Sequence, residues 1–197
     1  MKRILIVDDE PDILNALRRL LMLTPCRGGD NTFQLSVDTF VSAEEALAKA
    51  RHTAYDLVLS DYRMPGMDGV RFLMAIREIQ PDAVRMILSG YADLNGLIAA
   101  INDAGISRFV AKPWNDYELV SSIGQGLAMR ELALENQRLA DQSRLAEGTM
   151  TEEEVERKRL EAEEPGITQV IWGEDGSVLL DESLLDDRYK QQGSEPT

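Results

Sequence analysis

The sequence predicts an α/β fold: a doubly wound parallel sheet of five strands with helices on both faces, followed by a long C-terminal helical extension. Three observations predict it. Through the first 125 residues, short unbroken apolar runs alternate with segments of helical period, the pattern of strands buried on both faces. The alternation recurs five times, and consecutive strand–helix units build a parallel sheet through crossover helices. Polar residues collect where the apolar runs end, at Asp8, Asp9, Asp61, Ser89 and Lys112. In open sheets of this class that rim is where ligands bind.

Each element follows from its residues. "RILIVDD" is a buried strand, and "EPDILNALRRLLML" places Ile13, Leu14, Leu17, Leu20 and Leu21 at helical spacing. "TPCRGGDNT" reads as a polar, glycine-containing loop before a weaker strand, "FQLSVDTF". "SAEEALAKA" is a helix with Ser42 as N-cap and Glu45 three residues on. "YDLVLS" is the third strand, and "GVRFLMAIREI" is a helix stopped by Pro81. "AVRMILSG" is the fourth strand, followed by helical "LNGLIAAINDAG" with Gly105 as its C-cap. "SRFVAKP" is the fifth strand, and the segment from Asn115 to Ala146 is one long helix.

Composition excludes several classes. One cysteine, Cys26, rules out a disulfide framework and fits a reducing compartment. A single histidine, His52, at a helix end where a solvated or dipole-paired side chain is expected, rules out multi-histidine metal hydrolases and Cys/His zinc sites. The N-terminus lacks a signal-peptide apolar stretch and no run approaches a membrane span, so a cytoplasmic protein without membrane contact is expected. The net charge of −14 argues against nucleic-acid binding. Its distribution is uneven: residues 131–197 hold 18 acids and 7 bases, a change of character near residue 130.

Carboxylates gathered at one rim repel each other, and a hard divalent cation such as Mg²⁺, bound through carboxylates, backbone oxygen and water, relieves that repulsion. A lysine and a hydroxyl beside them suit a phosphoryl group carried on a carboxylate. The stretches "IVDDE", "LVLSDYRMPGMDG", "ILSGYAD" and "FVAKPW" together resemble, in order and spacing, the receiver domain of two-component response regulators, over residues 1–125. The resemblance implies a flavodoxin-like receiver fold and these roles. Asp61 accepts phosphate from a histidine kinase or phosphotransfer protein. Asp9, Asp61 and the backbone carbonyl of Arg63 ligate Mg²⁺, with Asp8 acting through water. Ser89 and Lys112 grip the phosphoryl oxygens, Phe109 is the aromatic switch residue, and the bond to Pro113 is cis. Within "MPGMDG", Pro65 stiffens the loop, Gly66 and Gly69 permit backbone geometry other residues resist, and Met64 and Met67 pack.

Receivers with similar segments accompany HD-type phosphodiesterases or transcriptional activators, and neither output fits the residues that follow. Residues 126–164 instead form a helical extension. Met129, Leu132, Leu139 and Ala146 sketch a seven-residue seam with Asn136 at a core-type position, either a homodimerising coiled coil or a solvated helix. "TEEEVERKRLEAEE" either continues the helix with opposed charges or is an acidic linker. In residues 165–185, "ITQVIWGEDGSVLLD" has two apolar runs around Gly-Glu-Asp-Gly, a β-hairpin signal in competition with a disordered tail. Residues 186–197 read as disordered. No separate catalytic domain is expected. The output is phosphorylation-dependent contact or dimerisation with an unnamed effector protein, the alternative being a phosphate sink that drains a kinase by rapid self-dephosphorylation.

Overall fold

The computed structural model describes residues 1–90 and 104–163, together with Pro165, Ile167, Ile171–Trp172 and Val178–Leu179. Tyr91, the predicted fourth helix up to residue 103 and residues 186–197 lie outside these, while Gly105, its predicted C-cap, has φ +58°. Along the chain run β1 (Lys2–Val7), α1 (Pro11–Leu23), β2 (Cys26–Gly28), β3 (Asn31–Phe33), β4 (Leu35–Phe40), α2 (Ala43–Ala50) and β5 (Leu57–Asp61). Then come α3 (Gly69–Ile79), β6 (Val84–Gly90), β7 (Arg108–Lys112), α4 (Asp116–Ala146), α5 (Glu152–Glu163), β8 (Ile171–Trp172) and β9 (Val178–Leu179).

The main sheet has five strands in the order β4-β1-β5-β6-β7, and every pairing is parallel. From β1 the chain steps outward to β4 and then returns to β5. The direction of winding therefore reverses between β1 and β5, which opens a crevice at their carboxyl ends. Alternation along the strands divides the core into two layers. Leu5, Val7, Val58 and Ile87 face Ala46, Phe72 and Ile76 of α2 and α3. Ile4, Ile6, Leu57, Leu59, Met86 and Leu88 face leucines of α1 and the first turns of α4. The spacing of Leu14, Leu17 and Leu21 lays one stripe of α1 on the sheet. At α2 the Ser42 hydroxyl oxygen accepts from the Glu45 N–H at 3.2 Å, and the carboxylate that closes on the Ser42 hydroxyl is that of Glu44, at 2.9 Å.

The segment expected as a loop, "TPCRGGDNT", contains structure of its own. β2 and β3 form a small antiparallel hairpin that turns at Gly29 and lies on α4. Strands of three residues are too short for periodicity to reveal, and tertiary contact supplies their stability. Cys26 is buried, with its thiol 3.9 Å from the Val120 carbonyl. A Cβ on Gly124 would collide with the Arg27 carbonyl, and one on Gly28 would collide with the Gly124 carbonyl. The two glycines let the hairpin backbone lie directly on the helix.

α4 crosses residue 125 without a break. Leu127 is in the core, and a polar collar holds the next turn to the amino-terminal edge of the sheet. Arg130 donates to the Asp56 carboxylate at 2.7 Å and to the Asp82 carbonyl at 2.9 Å, while Glu131 takes Lys2 at 2.8 Å and the Asn31 amide at 3.2 Å. Beyond Gly148, which has φ +70°, "TEEEVERKRLEAEE" forms a second helix. Thr151 and Glu154 cap each other's N–H reciprocally at its start. Lys158 reaches back to Asp141 at 3.1 Å, so α5 returns toward α4 as a helical hairpin. β8 and β9 pair antiparallel, Ile171 with Leu179 and Trp172 with Val178, which brings the two apolar tail runs together. No helix among the described residues is long and apolar enough to cross a membrane.

Candidate functional site

Strand register assembles the site. Val7 pairs with Ser60, so Asp8 follows its strand out beside Asp61, the last residue of β5. Asp61 pairs with Leu88, which leaves Ser89 one step further along β6. Gly90 pairs with Lys112 at the end of β7. Four residues spread over 105 positions of sequence thus meet at one rim of the sheet.

Asp8 is fully buried. Its Oδ1 accepts from the Glu10 N–H at 3.0 Å and its Oδ2 from the Lys112 ammonium at 2.8 Å. Asp61 is also buried. Its Oδ2 accepts from the Arg63 N–H at 2.7 Å, and its Oδ1 forms an ion pair with the same Lys112 ammonium. One lysine therefore straddles two carboxylates. Burial by itself depresses the Lys112 pKa, but the bonds to Asp61 and Asp8 outweigh it and hold the ammonium above its ordinary value. Burial raises Asp8 above the usual carboxylate range, with Lys112 and the Glu10 N–H pulling the other way and the Asp61 charge adding to the rise. A single positive charge shared between two carboxylates leaves negative charge uncompensated.

The remaining expected residues take distinct places. Asp9 points to solvent at the mouth of the crevice. Ser89 is buried, and its hydroxyl donates to the Gly90 carbonyl at 3.3 Å. Phe109 is half-buried against the core layer that contains α2 and α3. The Lys112–Pro113 peptide is cis. Met64 and Met67 pack against the same layer as Phe109.

Two features of the β5–α3 loop escaped the sequence reading. Gly69 does not have positive φ; it is required because a Cβ there would strike the Asp61 carbonyl as the loop folds back over the strand end. The N-cap of α3 is Asp68, whose carboxylate accepts from the Arg71 N–H at 2.8 Å. The Asp-Gly-Val start was a legible cap signal for this. The arrangement as a whole is a buried acidic pocket with a lysine ammonium held between two carboxylates, an oxygen-only donor set and a hydroxyl on the neighbouring strand.

Comparison with known proteins places the chain in a family. The family model for the response regulator receiver domain matches residues 4–124. The chain belongs to that family.

Among curated proteins, the receiver is similar to the hydrogenase transcriptional regulatory protein HoxA of Cupriavidus necator. The two are 38% identical over 136 residues, which is 69% of this chain and 26% of the relative. It is also similar to the C4-dicarboxylate transport transcriptional regulatory protein DctD of Rhizobium meliloti, 33% identical over 69% of this chain and 27% of the relative. The matched segment thus spans about a quarter of the length of these relatives. Among solved structures, a signal receiver domain of an HD domain-containing protein from Pseudomonas fluorescens aligns with TM-score 0.60. It is 32% identical, over 68% of this chain and 92% of that one. A CheY-like receiver from Methanospirillum hungatei gives TM-score 0.60 at 28% identity, over 68% and 98%. Receiver identity and the doubly wound parallel fold are therefore common ground with two-component response regulators.

Among the described residues, no three His, Cys, Asp or Glu side chains close into a ready-made metal cluster. Lys112 bridges the carboxylates instead. The donor chemistry nonetheless fits Mg²⁺: the hard carboxylate oxygens of buried Asp8 and Asp61 lie next to exposed Asp9 at the crevice mouth, with more negative charge than one ammonium neutralises.

Proposed function

We propose that the chain is a response regulator that receives a phosphoryl group on Asp61 from a histidine kinase or phosphotransfer protein. Its output is then a change in protein–protein contact. The observation that carries this is Lys112 bridging Asp8 and Asp61 at the topological switch point. An Asp61 carboxylate oxygen attacks phosphorus, the bond from phosphorus to the donor nitrogen breaks, and the donor imidazole leaves to take up a proton from water. Asp9, Asp61 and the backbone carbonyl of Arg63 would hold Mg²⁺, with Asp8 acting through water. The ion supplies charge neutralisation for the transferring phosphoryl oxygens.

The chain's own groups do the rest. Lys112 turns from its carboxylate partners to a phosphoryl oxygen, and the Ser89 hydroxyl donates to another. As Ser89 moves inward, the space beside half-buried Phe109 changes and the side chain resets, which alters the surface of β7 and its neighbours. Residues 126–164 turn that surface change into dimerisation or partner docking, in the cytoplasm.

The test is incubation with a small phosphodonor and Mg²⁺. A mass gain of one phosphoryl group, labile to base and lost in Asp61→Asn, is expected. Equal labelling of Asp61→Asn, or no labelling of either protein, overturns the assignment.

A further inference from the structure

α4 uses its two sides differently. One side is occupied at its base and again near its end. At its base Leu127 enters the core, and Arg130 and Glu131 join the collar of Lys2, Asn31 and Asp56. Higher up, the same side continues through half-buried Leu134, buried Asp141 and half-buried Leu145, where Lys158 of α5 reaches Asp141. At 100° per residue these positions form one face.

The opposite face carries Met129, Leu132, Asn136, Leu139, Ser143 and Ala146, spaced alternately by three and four. Met129, Leu132 and Leu139 are 69%, 58% and 50% exposed. Ala133 and Ala140 flank them and are exposed too. Just below, Arg108 ties the corresponding positions Ser122 and Gln125 to β7, so the open seam begins at Met129.

We propose that this seam pairs in parallel, in register, with the same seam of a second copy of the chain, while α5 braces each helix from behind. The proposal rests on the reading of residues 126–164 as a dimerising element and makes the pairing precede phosphorylation, so that chemistry at Asp61 acts on an existing pair and is tested separately. Three features select a second copy. The seam contains no charged residue although the extension around it is strongly acidic, so two copies meet without acid against acid. The flanking positions agree: parallel pairing sets Glu135 near Ala140 and Gln142 near Glu147 of the other copy. Asn136, in the middle, sets direction. Parallel pairing brings the two amides together, where each satisfies the other, whereas an antiparallel alignment centred on the seam sets each amide against a leucine and leaves it unsatisfied. The collar also holds the first turn of the seam in helical form, which removes the nucleation cost that makes short free helices marginal.

Analytical ultracentrifugation of the full chain over a concentration series, combined with cysteine cross-linking, tests this. Substitutions go on exposed positions, and buried Cys26 stays in place. A dimer is expected that weakens by roughly 100-fold or more in Leu132→Glu/Leu139→Glu, as acids enter two apolar layers. Leu132→Cys and Leu139→Cys should each cross-link to themselves on mild oxidation, and Arg138→Cys, on the far side, should not. Circular dichroism of each variant confirms retained helix. Several results overturn the proposal: a monomer at every concentration, a dimer indifferent to the paired glutamates, cross-linking at only one of positions 132 and 139, or equal cross-linking at position 138. Capture of a different protein by a chain that stays monomeric does so as well. Phosphorylation of Asp61 in the same samples is expected to be normal in every case, so failure here is distinguishable from failure of the phosphoacceptor reading.

Discussion

Lys112 brings one positive charge into a space shared by two carboxylates, and the balance predicts how the site responds to perturbation. Replacing it by methionine keeps the aliphatic stem and removes the ammonium, which leaves Asp8 buried without its cation. A loss of about 3 kcal/mol is expected in denaturant unfolding without metal, since breaking a buried pair strands the partner charge. Mg²⁺ should restore part of that loss. In the unsubstituted chain, saturating with Mg²⁺ to tenfold above its dissociation constant should stabilise the fold by about 1.4 kcal/mol. Chelation should reverse the gain, and Asp61→Asn should shrink it; a thermal midpoint unmoved by Mg²⁺ would refute the metal reading. Cys26 offers a separate check. Burial pushes its thiol up to about 11, so at pH 8 it should resist a thiol reagent in the native chain and react once the chain is unfolded. Immediate reaction of the folded protein would mean that the hairpin does not cover it. The rim residues were legible in the sequence because a polar side chain at the end of a buried apolar run has no packing role. The bridging geometry was not legible, because Asp8 and Lys112 are 104 residues apart.

Among the elements, the β2–β3 hairpin shows where local pattern stops being informative. Its three-residue strands carry no periodicity, and the same residues read equally well as a polar loop. The structure supplies the missing information through Gly124, on which the hairpin lies. Gly124→Ala must push the backbone at Arg27 away. A cost of about 2 kcal/mol is expected, with faster hydrogen exchange confined to residues 26–33 and the adjoining turn of α4. An unchanged stability would show that the hairpin accommodates a methyl group. The long helices were easier to read. α4 ends at Ala146, where the sequence pattern ends, and α5 announces itself through Thr151 and Glu154. That α5 turns back to Asp141 depends on a tertiary ion pair with no local signature.

For the whole molecule, the change in charge near residue 130 and the end of the receiver do not fall at a structural break. A chain ending at residue 125 loses Leu127, Arg130 and Glu131 and should be less stable by a few kcal/mol than one ending at residue 135, as measured by urea unfolding of both. Equal stabilities would mean that the collar contributes nothing to the receiver. By itself the amino-acid sequence determined the order of strands and helices, the acidic rim and the family, because burial on both faces demands apolar strands and leaves chemistry to their ends. Only the tertiary structure decided that one lysine bridges two carboxylates, that a hairpin covers α4, and which side of α4 stays bare. Each of those rests on contacts between residues far apart in the chain, and no local pattern of residue types encodes such distances.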